Sequence, residues 1–191
     1  MREMIKMIVV LSVICGISGV SLAALKSVTA PRIEEQILSY VQAPAIEQVL
    51  AAHDNNPIRD RKIFTVQDQQ VTIFPALKGG SLVGLAFETS GQGYGGDIGV
   101  MVGFDPESGN LSGIGITTMK ETPGVGSKVS KHGFTSQFHG MTAEQARLKS
   151  GGGEVNAVAG ATISSTGTVA AVQKAVKIYN ELRSKLTTAW Q

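Results

Sequence analysis

The stretch Ile98-Gly-Val-Met-Val-Gly-Phe104 decides the fold. Ile98, Val100, Val102 and Phe104 recur at every second position, which places them together on one face of a β-strand. Gly99 and Gly103 fall on the opposite face. Bare backbone there suits a closely packed helix or a flat ligand, and packing is the commoner cause. The same period continues on both sides. Upstream, Lys62–Val66, Gln70–Leu77 and Ser81–Thr89 read as strands, the last two joined by the turn Lys78-Gly79-Gly80. Downstream, the turn-forming run Asp105 to Asn110 leads to a strand over Leu111–Met119. Connections this short join antiparallel neighbours.

Helical patterns flank the strands. Val169, Val172, Val176, Tyr179, Leu182 and Leu186 step by three or four, which predicts a closing helix from about Thr168 to Leu186. Thr142-Ala-Glu-Gln145 has the spacing of a capping box and predicts a short helix through Lys149, ended by Ser150-Gly-Gly-Gly153. Before the sheet, Pro31 suits the first turn of a helix whose apolar face is Ile33, Ile37 and Tyr40 or Val41. A second segment after Pro44 adds Ile46, Val49 and Leu50, with Pro44 bending the pair. The two read as a stalk packed on the domain base, and His53 to Asp60 as a loop.

An uncharged run from Met7 to Leu25 follows Arg2 and Lys6. It is long enough to cross a bilayer, which favours a retained anchor, although Ser21-Leu22-Ala23 would also serve as a cleavage site. The basic residues ahead of it argue for an inside N-terminus. The expected layout is a cytoplasmic start at 1–6, a transmembrane anchor at 7–25, a helical connector at 26–60 and a folded domain at 61–191. The fold class is α+β, an antiparallel sheet with packed helices on a single N-terminal transmembrane helix.

Composition excludes several functions. The 17 basic and 15 acidic residues leave a net charge of +2 without a charged block, so nucleic acid is not an expected partner. The single Cys15 permits neither an intramolecular disulfide nor a cysteine-held metal or iron–sulfur cluster. His53, His132 and His139 have no ligand spacing, so no metal site is expected. No acid–base pair stands out as catalytic.

Three motifs carry the chemistry. Gly91-Gln-Gly-Tyr-Gly-Gly96 satisfies the dinucleotide-binding spacing, but a strand pattern follows it where a helix is required, so that reading is rejected. Glu121-Thr-Pro-Gly-Val-Gly126 is a rigid turn, which by composition alone is simply a loop. In Asn156-Ala-Val-Ala-Gly-Ala-Thr162, the small residues Gly160 and Ala161 leave the Thr162 hydroxyl approachable. Thr162 sits just ahead of a helix N-terminus, where free N–H groups and the dipole favour a phosphate. The alternative is that Ser164, Ser165 or Thr166 merely caps that helix.

Gly160-Ala161-Thr162, followed by Ile163-Ser164-Ser165, resembles the flavinylation motif of the FMN-binding domain family. That family includes the G subunit of the Rnf electron-transport complex and the C subunit of the sodium-translocating NADH:quinone reductase. Its pattern is Asp, two variable residues, Ser or Thr, then Gly-Ala-Thr, and the last Thr carries FMN through a phosphoester. Asn156 and Ala159 stand where the pattern has Asp and Ser or Thr. The run containing Tyr94 and Gly95 resembles the family's Gly-Tyr-Gly-Gly, and Glu121–Gly126 its Glu-Thr-Pro-Gly-Leu-Gly, which lies against the isoalloxazine. Phe134, Gln137 and Phe138 resemble a further family pattern that we assign to packing.

The resemblance implies covalent FMN on Thr162, with Gly160, Ala161, Ser164 and Ser165 beside it and Glu121, Thr122, Gly124, Val125, Tyr94 and Gly95 near the ring. It implies an electron-transfer subunit of an Rnf-type, ion-translocating ferredoxin:NAD oxidoreductase, not catalytic alone. Other membrane subunits would be its redox partners, and a flavin transferase would load it. It would reside in the cell inner membrane as a single-pass protein, with the flavin domain on the periplasmic side. Two alternatives remain: a flavin-free anchored assembly module, motivated by Asn156 and Ala159, and a stand-alone extracytoplasmic flavin reductase.

Overall fold

Five strands form one sheet in sequence order: β1 (Lys62–Val66), β2 (Gln69–Lys78), β3 (Ser81–Gln92), β4 (Asp97–Phe104) and β5 (Leu111–Thr118). Every neighbouring pair is antiparallel, as the short connections require. The computed structural model describes residues 1–50 and 52–190, with only the backbone of Glu34, Thr187 and Thr188. It divides into two units, Met1–Tyr40 and Val41–Gln191.

The register turns alternation along one strand into a continuous apolar face. Val100 lies opposite Thr89 and Ile116, and Val102 opposite Phe87 and Ile114. Ile98, Val100, Val102 and Phe104 are all buried, together with Leu85 and Phe87 of β3. Helix α4 (Thr162–Ala189) covers this face with Val169, Val172, Val176, Tyr179, Leu182 and Leu186, all six buried. Phe104 stacks between Phe87 and Tyr179, at centroid distances of 5.5 and 4.4 Å. Each such buried side chain contributes roughly 1.5–3 kcal/mol.

α4 crosses β3 at backbone distance. The Thr89 hydroxyl donates to the Ala171 carbonyl at 2.9 Å. A Cβ at Gly91 would run into the Gly167 carbonyl, and one at Gly167 into that of Gln92. On the sheet's other face lies α2 (Ala43–Val49), with Ala45, Ile46 and Val49 buried. A Cβ at Gly103 would stand 2.6 Å from the Val49 carbonyl oxygen, so the bare face of β4 serves helix packing there.

Three local expectations are corrected. α4 begins at Thr162, not near Thr168, because the intervening hydroxyls do not compete with the ladder. Ser165, Thr166 and Thr168 each donate to the carbonyl four residues back. Nor does Thr142–Lys149 form a helix. The capping-box bonds between Thr142 and Gln145 exist in both directions. The backbone groups beyond them pair instead with the returning chain, Glu154 to Gln145, Val155 to Arg147 and Lys149 to Val155. Pro31, expected at a helix start, lies inside α1 (Arg2–Gln36).

α1 is exposed along its apolar length and is long and apolar enough to cross a membrane. A π-helical turn, Ile37–Gln42, leads on to α2, which carries Pro44 in its first turn.

The α4–β3 crossing is directly testable. Gly91→Ala forces a methyl into the Gly167 backbone, and overpacking of this kind costs about 1–3 kcal/mol. Denaturant unfolding is expected to show that loss, whereas Gly151→Ala, with open space around its Cβ, is expected to be near neutral.

Candidate functional site

The first turn of α4, the Tyr94 turn and the Glu121–Gly126 loop enclose a groove of about 470 Å³. Tyr94, Glu121, Thr122, Val125, Gly126, Gly160, Ala161, Thr162, Ile163 and Ser164 line it. The three motifs, scattered over some seventy residues (from Tyr94 to Ser164), thus meet at one place. Its volume lies in the range of small-molecule sites, roughly 300–1,000 Å³.

Thr162 is the first helical residue, with Ala161 at the N-cap and no side-chain cap. The first bond of the new helix runs from the Ser165 N–H to the Ala161 carbonyl at 3.0 Å. The N–H groups of the preceding turn have no ladder acceptor by construction, and they carry the positive end of a 28-residue helix. Gly160 makes the turn into it at φ +75°, where a side chain would be strained.

The hydroxyls divide sharply. Ser164 and Ser165 are 2% and 0% exposed, and Thr168 is buried too. Ser165 Oγ accepts from the Val158 N–H at 2.9 Å and donates to the Ala161 carbonyl, so it pins the turn rather than capping the helix. Thr166 is exposed and donates to the Thr162 carbonyl at 2.9 Å. Thr162 is exposed and lines the groove.

Glu121 forms the groove's buried end, at 8% exposure. Its Oε2 accepts from Ser164 Oγ at 2.5 Å and its Oε1 from the Gly95 N–H at 3.0 Å. Burial pushes this carboxyl up, but the hydrogen bonds from Ser164, Gly95 and Tyr94 outweigh it and hold the group below its ordinary range. Acid therefore weakens the tie only as pH falls through that depressed value. Gly126 makes room: a Cβ there would meet Glu121 Oε2 at 2.5 Å and Ser164 Oγ at 2.8 Å.

Ser165, Gly124 and Gly95 stand behind the groove. Gly124 turns the loop at φ +75° and donates to Ser127 Oγ, and Gly95 holds Glu121. The sequence reading missed Ile163 and Gly126 as lining residues. Ile163 lies outside the 169-172-176 stripe and is 54% exposed. Asn156 is tied to Gln137 by three bonds: its N–H and Nδ2 donate to Gln137 Oε1 at 2.8 and 3.1 Å, and Gln137 Nε2 donates to its carbonyl at 3.3 Å. Gln137 therefore bonds the segment that leads into α4, beyond the packing role assigned to its motif.

The FMN-binding domain family matches residues 93–177, a span that holds all three groove segments. The chain is 31% identical to the G subunit of the ion-translocating oxidoreductase complex of Stutzerimonas stutzeri, over 94% of this chain and 80% of that one. It is 27% identical to the G subunit of the Na(+)-translocating ferredoxin:NAD(+) oxidoreductase complex of Acetobacterium woodii, over 95% and 94%. Among solved structures, the C subunit of the Na(+)-translocating NADH-quinone reductase from Parabacteroides distasonis shares the fold. Its TM-score is 0.53 at 20% identity, over 70% of this chain and 72% of that one. With a groove built from FMN-binding-domain segments, and with kinship along nearly its whole length to these relatives, the chain belongs to the G-subunit family of ion-translocating oxidoreductase complexes.

Proposed function

We propose that the chain is the flavin-carrying, electron-transferring subunit of a membrane ion-translocating ferredoxin:NAD oxidoreductase, with FMN held as a phosphoester on Thr162. One observation carries the attachment site. Of the hydroxyl residues in the α4 first turn and the run after it, only Thr162 is both exposed and part of the groove lining.

The residues present fit the group. The helix N-terminus supplies N–H donors and a positive partial charge to a phosphate. Gly160 lines the groove and has open space where a Cβ would point. Tyr94, Val125 and Ile163 give apolar walls, and Thr122 a hydroxyl at the rim.

Loading would take one group transfer. Thr162 Oγ would bond to the flavin-side phosphorus of FAD as the P–O–P bridge breaks and AMP leaves, with the hydroxyl proton passing to the flavin transferase. Bound FMN would supply one- and two-electron transfer, chemistry no side chain here possesses. The protein's part is to hold and orient. α4 fixes the attachment point, and the Glu121–Gly126 loop sets the ring's surroundings. Residues 7–25 would anchor residues 61–191 at the periplasmic side of the cell inner membrane, the orientation favoured by Arg2 and Lys6. Neighbouring membrane subunits would exchange the electrons.

Expressed with a flavin transferase and then denatured, the wild-type chain is expected to carry fluorescence that migrates with the polypeptide. Thr162→Ala should be dark yet folded, its stability within about 0.5 kcal/mol of wild type, as for an exposed surface change. Thr166→Ala should stay bright. Covalent flavin in Thr162→Ala would refute the attachment site.

Thr122→Ala should retain covalent flavin. It removes a bond worth about 1 kcal/mol, so redox titration should read a moved potential if the bond differs between redox states. An unchanged potential and spectrum would place Thr122 away from the ring.

A further inference from the structure

Three donors converge on Glu121: the Ser164 hydroxyl, the Gly95 N–H and the Tyr94 N–H. An ionised carboxylate is an acceptor only, and it is the side chain that answers three donors without leaving a donor of its own unmatched. Two glycines make room for it. A Cβ at Gly93 would collide with Oε1, and one at Gly126 would press on Oε2. Both oxygens already accept from the protein, and the three donors take most of the roughly four acceptor positions of a carboxylate. What remains is its charge. The three donors are neutral, and the group lies at the buried end of the groove, where water screens little.

We propose that Glu121 is a built-in anion that lowers the reduction potential of the flavin held in this groove, acting as a potential-setting residue and not as a flavin ligand. The inference rests on the reading of the groove as the FMN site. Reduction adds electrons to the flavin, and a fixed negative charge at the buried end of the same groove opposes that addition. A structural tie of the same shape, made without charge, would hold the three segments together and leave the potential alone.

The two roles separate by substitution. Glu121→Gln removes the charge and keeps the tie, since its Oε1 can accept from Gly95 while its Nε2 donates to Ser164 Oγ. Ser164→Ala weakens the tie and keeps the charge. In flavin-loaded full-length protein at pH 8, redox titration is expected to give a higher midpoint potential for Glu121→Gln than for wild type. Ser164→Ala should not rise with it, because the charge stays in place and loses one of its donors. Glu121→Ala, which also removes the charge, should rise with Glu121→Gln and keeps the test open should the Gln variant misfold. Equal shifts in the Gln and Ser164 variants would make the effect structural and overturn the proposal. A flavin-loaded Glu121→Gln with unchanged potential would overturn it alone. A wild-type chain that takes up no flavin would overturn it together with the FMN reading.

Discussion

The contact between Gly91 of β3 and Gly167 of α4, where neither residue has room for a Cβ, fixes the geometry of everything above it. A long helix laid on a twisted sheet is ordinarily held off by its side chains, at about 8–10 Å for helix pairs and about 10 Å for stacked sheets. Here the backbone of Gly91 reaches the backbone of α4 directly, and the Thr89 hydroxyl bonds the Ala171 carbonyl. The crossing lies one turn into the helix. It therefore sets where the first turn, with Thr162 and Ser164, stands relative to the chain that leaves β3 at Gln92. The apolar stripe from Val169 to Leu186 then sets the direction of the axis by burial.

The site follows from that placement. Once the start of α4 is fixed beside the Gly93–Gly96 turn, one short side chain on a third segment suffices to lock them. Glu121 does this by bonding Ser164 on one and Gly95 on the other. The cost of burying a carboxylate is offset by charge-assisted bonds, which are about twice as strong as neutral ones. Removing a donor would leave that charge underpaired, so the pieces are mutually dependent. Two glycines of the first two motifs are explained on the same terms. Gly93 and Gly126 are small because the carboxylate occupies the space, not because a dinucleotide approaches.

Much of this was legible in the sequence, and the reasons for success and failure differ by residue. The Ile98–Phe104 alternation placed β4 and its buried face correctly, because a period of two has a single structural meaning when turns bound it. The 169-172-176 stripe found α4 but not its start. Thr162 to Thr168 is rich in hydroxyls, which local pattern assigns to caps, and only the tertiary contact to Glu121 and the back-bonds along the helix draw it in. Thr142-Ala-Glu-Gln145 misled for the converse reason. Its capping bonds formed, yet the strand-like pairing of Arg147 and Lys149 with Val155 took the backbone groups a helix needs. The lining residues Tyr94, Thr122, Val125 and Thr162 came from motif resemblance. Ile163, Gly126 and the Gln137–Asn156 tie needed coordinates, since their partners lie on other segments.

The form of the groove bears on why a covalent bond would be used at all. Its apolar walls are open: Tyr94 is 74%, Ile163 54% and Val125 43% exposed. A site that leaves its walls this wet removes little apolar surface from water when a ring enters, and affinity built on burial at about 25 cal/mol per Å² is correspondingly small. Enclosing the ring would raise affinity but would bury the edge through which electrons must pass to another protein. The ester proposed at Thr162 would resolve the conflict. It would make retention independent of burial and leave the open walls available to a redox partner.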